Sequence, residues 1–143
     1  MKEKLTAICT FIGIIGSGIA GALGGWDNAL ITLLVFMGID FATGIACALF
    51  FRNSSKSENG ALSSKECRRG LIRKFGTLLI VVAAHYADLL VGADYIRNAV
   101  VIGFCASELI SICENAGLMG ILPPAVQKTL EKVIDILKND NDK

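Results

Sequence analysis

From Leu5 to Gly25 the chain runs for 21 residues without a formal charge. As an α-helix, at 1.5 Å per residue, such a run is about 30 Å long, the thickness of a bilayer's hydrocarbon core. Asn28 to Phe51 is a second run, interrupted only by Asp40. Phe75 to Val91 is a third, carrying His85 and Asp88, and Ala99 to about Ala116 a fourth, carrying Glu108 and Glu114. In lipid, every backbone N–H and C=O needs a partner within the protein, so runs of this length must be helical. The pattern predicts an all-α integral membrane protein, a single domain over 1–143. About four transmembrane helices in two hairpins (5–51 and 75–117) precede a C-terminal amphipathic helix (123–138). Gly24, Gly25, Trp26 and Asp27 read as the tight turn of the first hairpin, with Trp26 suited to a membrane–water boundary. Residues 92–98 link the third and fourth spans.

Charge is segregated in blocks. Hydrophobic residues make up 53% of the chain and charged ones 19%, less charge than soluble domains carry. The segment 52–74 holds seven bases against two acids and reads as a cytoplasmic loop. With both termini inside, 13 of the 14 bases fall on the cytoplasmic side and Arg97 alone lies outside, as the positive-inside rule favours. A three-span reading would strand the four C-terminal lysines outside. Arg68, Arg69, Arg73 and Lys74 are expected beside inner-leaflet head groups, which accounts for them without nucleic acid. A cleaved leader competes for the first run, since Lys2, Glu3 and Lys4 precede it. The run is too long for a leader's apolar core, and a second span follows almost at once.

Catalytic chemistry has little to stand on. The five cysteines include no CxxC pair, four of them lie in apolar runs, and the chain has one histidine. No metal site or cofactor is expected. Glycine-rich phosphate loops and nucleophile elbows are also missing, so the chain reads as a non-enzyme.

Two features of the spans carry information about association. Gly13, Ser17, Gly21 and Gly25 recur every fourth residue, a smooth ridge that lets another helix approach closely. That helix is either one from another copy or the second span of the same hairpin. Asp40 lies about 18 Å along its helix from Asn28, near mid-bilayer, where a lone carboxylate is costly. Thr43 and Gly44 follow one turn on, His85 is read at comparable depth, and Glu108, Ser111 and Asn115 share one stripe of the fourth span. With Asp88 and Glu114 these form a polar set. It either fixes helix register as a buried network or lines water once several copies assemble, and a proton relay is a further alternative. In the tail, Val126, Leu130, Val133, Ile134 and Leu137 share a face opposite Gln127, Lys128, Glu131, Lys132 and Asp135. Such a helix could lie on the inner leaflet, associate with copies of itself or cap the bundle.

Three elements in register resemble a known family. They are Asp40-Phe41-Ala42-Thr43-Gly44, the stretch from Ser63 through Arg69-Gly70-Leu71-Ile72-Arg73-Lys74 to Asp88, and Ser107 through Glu108, Ser111 and Glu114-Asn115-Ala116-Gly117, followed by Pro123-Pro124. The sequence is similar to the toxin-secretion/phage-lysis holins, the group that includes clostridial phage holins and the clostridial toxin-release holin. The resemblance covers most of residues 30 to 137 and leaves the first span without a motif. It implies a homo-oligomer in the host cytoplasmic membrane that forms lesions or pores, coupled to the release of an endolysin or toxin. The alternative from the residues alone is a small proton-coupled transporter or channel, in which Asp40 or Glu108 would bind the cation. A membrane subunit that only docks partners is a third reading.

Overall fold

The computed structural model describes residues 1–51, 64–129 and 131–132, and within them every regular element is a helix. Helix α1 spans Lys2–Ala22 and α2 spans Asn28–Ala46, which runs on into a π-helical stretch, Cys47–Phe51. Helix α3 spans Ser64–Val91 and α4 spans Ile96–Leu118. All four are long and apolar enough to cross a membrane. A short helix follows at residues 124–129, opened by Pro123, whose carbonyl accepts from the Val126 and Gln127 N–H groups. Its described residues are all exposed, so they do not cap the bundle. Leu130, Val133, Ile134 and Leu137, the rest of the expected apolar face, lie outside the described residues.

Packing follows one stripe on each of three helices. On α2 the buried residues are Leu30, Leu33, Met37 and Asp40; on α3, Thr77, Val81, Ala84 and Asp88; on α4, Arg97, Val101 and Asn115. These spacings of three, four and seven keep a helix's residues on one face. Helix α4 lies between its neighbours and packs against both α2 and α3. Leu23, Leu30, Leu33, Met37, Val81 and Val101 form the apolar centre. Charged or amide groups close the stripes at both ends.

The first hairpin departs from expectation. The turn is there: α1 stops at Ala22, Gly24 and Gly25 take φ of 89° and 98°, and Asp27 caps α2 by accepting from the Leu30 N–H at 2.8 Å. Positive φ is open to glycine at no steric cost, so the paired glycines reverse the chain within a few residues. Beyond the turn, however, α1 makes no lengthwise contact with another described helix. Ala20 is its one buried residue. The ridge at Gly13 and Gly21 faces open space, so packing against α2 is not its use within the chain. Helix α1 offers only dispersion contacts, whereas α2, α3 and α4 are tied together by buried polar groups.

A second correction concerns the basic segment. Helix α3 begins at Ser64, so residues 64–74 belong to the helix of the third span rather than to a loop. Lys, Glu and Arg are good helix formers, and nothing between Ser64 and Phe75 breaks the helix. Residues 52–63 lie outside the described residues.

Candidate functional site: two polar centres in an apolar bundle

The first centre lies within the bundle and joins all three packed helices. Lys74 reaches across from α3 and pairs with Asp40 of α2 at 2.8 Å and with Glu108 of α4. The Lys74 side chain is 13% exposed and the two carboxylates are about as shielded. Asn115 Nδ2 donates to Asp40 Oδ1 at 3.1 Å and to Thr43 Oγ1 at 3.0 Å. The Asn115 carbonyl accepts from Cys47 Sγ at 3.3 Å, and Gly44 lies beside the same amide. An ammonium placed between two carboxylates answers the cost of putting charge in a low-dielectric interior, provided the remaining hydrogen bonds are made. They are made: no buried side-chain nitrogen or oxygen among the described residues is orphaned.

Of the polar set read from the sequence, the structure thus joins Asp40, Thr43, Gly44, Glu108 and Asn115. Ser111 is half-buried and takes no part, and Glu114 is exposed. Lys74, expected at the inner leaflet, points into the bundle instead. At 3.6 residues per turn it falls on the far side of α3 from Arg68, Arg69 and Arg73, which are exposed. Lys74 continues the buried stripe of Thr77, Val81, Ala84 and Asp88.

His85 and Asp88 belong to a second centre, at the end of the bundle where both turns lie. His85 is therefore not at the level of Asp40. Asp88, on the last turns of α3, accepts from the backbone N–H groups of Ile96 and Arg97 at 2.9 and 2.8 Å. A carboxylate there satisfies donors that the first turn of α4 leaves open and suits the positive end of the helix dipole. The Arg97 side chain turns the other way, toward the first hairpin. Its Nε donates to the Leu23 carbonyl at 2.5 Å, and its two terminal nitrogens take the two oxygens of Asp27 at 2.6 and 3.2 Å. This is the planar, bidentate geometry that arginine supplies and lysine does not. The adjacent guanidinium holds the Asp27 carboxyl below its ordinary pKa; partial burial acts against this, and the Leu30 N–H adds to the lowering.

Gly24 makes room for the arrangement. A Cβ there would sit 2.6 Å from Arg97 Nε and 2.9 Å from His85 Nδ1. Trp26 and Tyr95, both exposed, stand in the two turns, where ring and polar tip suit a membrane–water boundary.

No cluster of potential metal ligands occurs among the described residues. A model of the bacteriophage holin family matches residues 17–139. The chain belongs to the bacteriophage holin family. Holins are non-enzymatic membrane proteins, in line with the sequence reading. The match begins inside α1 and takes in the whole α2–α4 bundle and both polar centres. Among relatives, Lin0175 of Listeria innocua is 35% identical over 134 residues, covering 92% of this chain and 90% of that protein. A 14.9 kDa protein of Clostridium perfringens, named for its position in the nagH 3′ region, is 31% identical over 145 residues, spanning 100% of this chain and 99% of its own. A protein of Bacillus phage phi105 named a probable holin is 29% identical over 111 residues, 77% of this chain and 74% of that one. No solved structure matches.

Proposed function

We propose that this holin-family protein collects in the cytoplasmic membrane of a bacterial host, associates with copies of itself and opens lesions that release an endolysin for host-cell lysis. A toxin released by the same route would be equivalent cargo. The observation that carries the proposal is the family match across 123 residues, from 17 to 139, in a chain with four apolar helices of membrane-spanning length.

Three structural features support the finer reading. The ridge of Gly13, Ser17 and Gly21 has no partner helix along its length, which leaves it free for a second copy; Gly25, expected on the same ridge, lies beyond the end of α1, in the turn. The network of Asp40, Lys74, Glu108 and Asn115 satisfies its polar groups in the single bundle, and the same groups are suited to line water in an assembled lesion. Arg68, Arg69 and Arg73 form an exposed basic face that suits anionic head groups on the cytoplasmic side, with both termini on that side.

The test is induced expression in a bacterium, alone and together with an endolysin that lacks its own export signal. Membrane potential should hold for a delay and then collapse, and the co-expressing culture should lyse. Continued growth with intact potential, at confirmed membrane levels of the protein, would overturn the proposal and favour a transporter.

A further inference from the structure

Helix α1 is attached to the rest of the protein at one end only. Along its length Leu5, Ile8, Phe11, Ile12, Ile15 and Ile19 are exposed, and α1 makes no lengthwise contact with another described helix. At its C-terminal end, Ala20 and Leu23 are buried, and the Leu23 carbonyl accepts from Arg97 Nε. Arg97 also grips Asp27 on the far side of the turn. One guanidinium, from the first turn of α4, therefore holds both ends of the segment joining α1 to α2.

The location makes this hold reversible in a way the centre of Asp40, Lys74 and Glu108, at the other end of the buried stripes, is not. The Arg97 side chain is 6% exposed, but its partner Asp27 is 45% exposed, so water already reaches one side of the pair. Solvent that competes for a carboxylate weakens an ion pair. At the boundary marked by Trp26 and Tyr95, the Leu23 carbonyl, Asp27 and Arg97 could all be hydrated once separated. Lys74 has no such recourse among its shielded partners.

We propose that Arg97 is a releasable catch: while closed on Asp27 and Leu23 it pins the α1–α2 turn to the α3–α4 turn, and when it opens α1 swings free of the bundle. Gly24 is part of the catch, because any side chain there would occupy the space of the guanidinium. Asp88 holds the backbone of Arg97 in place and lets the side chain do the gripping. Within the holin reading, on which this step rests, α1 must leave the bundle's end before lesions form, so the closed catch delays them.

The chain has a single tryptophan, and it is adjacent to Asp27. The full-length protein in phosphatidylcholine–phosphatidylglycerol vesicles can therefore be read by Trp26 fluorescence without a label. Arg97→Gln should lower Trp26 anisotropy and change its quenching by brominated lipid. Asp27→Asn should do the same while keeping a side chain that caps α2. Gly24→Ala should reproduce Arg97→Gln. Gly25→Ala carries the same backbone strain, with nothing within 4 Å of its Cβ, and should stay closer to wild type. Circular dichroism confirms that each variant keeps its helix content. In cells, the catch variants should collapse the potential several-fold sooner than wild type at matched levels. Wild-type Trp26 signals in Arg97→Gln and Asp27→Asn would overturn the catch, as would equal effects of Gly24→Ala and Gly25→Ala. Altered Trp26 signals with unchanged collapse time would overturn its role in delay. A wild-type protein that never collapses the potential would instead count against the holin reading, and the vesicle measurements would still decide the catch.

Discussion

Helices α1 and α2 are neighbours in sequence, similar in length and almost free of charge, yet they behave differently. Helix α2 lays Leu30, Leu33, Met37 and Asp40 against the bundle, while α1 buries only Ala20. In a bilayer, apolar side chains gain little by leaving lipid for protein, since lipid tails are as apolar as leucine. What α2 has and α1 lacks is a polar residue on its inward stripe with matching groups waiting on α3 and α4. In this protein buried polar groups decide which apolar helices pack together, and small residues only decide how close they can come.

The most severe way to break that contrast is to make the bundle resemble α1. Lys74→Leu removes the ammonium from between Asp40 and Glu108. Breaking a buried ion pair by removing one partner costs about 3–5 kcal/mol. The bundle should lose stability on that scale in a denaturing-detergent titration followed by circular dichroism, with helix content retained at the start. A variant as stable as wild type would show that the ion pairs do not hold α3 in place.

A smaller effect on the fold is expected from the other side of the comparison. Gly21→Leu adds a large side chain where nothing lies within 4 Å, so the same titration should shift by no more than about 0.5 kcal/mol. Oligomer size by crosslinking should fall, because the ridge is filled. Marked destabilisation of the fold would mean that α1 packs within the single chain after all.

The mildest perturbation is pH. Pairing with Arg97 depresses the Asp27 pKa below its ordinary 3.8. A depressed acid contributes stability that is present above the ordinary value and lost as pH falls through the lowered one. Trp26 anisotropy should therefore be flat between about pH 5 and 8 as far as Asp27 is concerned, and should fall only below about 3.8. The other ionisable groups at this end are Arg97, Asp88, His85, Asp94, Tyr86 and Tyr95, so the control is Asp27→Asn, which should remove the acid limb due to Asp27 and leave any other transition intact.

Much of the architecture is legible in the sequence. Uncharged stretches of bilayer length give the spans, and Gly24-Gly25 gives the first turn. Asp40, Thr43, Gly44, Glu108 and Asn115 fall together because their spacing already aligned them with the buried stripes. The α2–α4 partnership was harder to see, because a glycine ridge suits a neighbour in sequence as well as a partner in another molecule. The inward direction of Lys74 is hidden for a related reason. Once 52–74 is read as a loop, its bases have no sides, and only the start of α3 at Ser64 reveals that Lys74 points away from Arg68, Arg69 and Arg73. In the charge distribution Arg97 stands out only as the exception, though two local signals bear on it. Asp27 directly before an apolar run is a capping signature, and Asp88 lies just across a short turn from Arg97.

The unbroken course of α3 has a mechanical consequence. From Ser64 to Val91 it is 28 residues, about 42 Å of rigid rod at 1.5 Å per residue, against a hydrocarbon layer of about 30 Å. The basic tip is therefore the overhanging arm of a lever whose fulcrum lies in the bilayer. A change in tilt of about 10°, modest beside the ordinary spread among transmembrane helices, sweeps that tip through about 5 Å when the fulcrum lies at mid-bilayer. In the proposed inner-leaflet placement, head groups drawn to Arg68, Arg69 and Arg73 would exert a torque on the rod that carries Lys74. The lipid composition of one leaflet would thereby acquire a mechanical grip on ion pairs buried within the bundle.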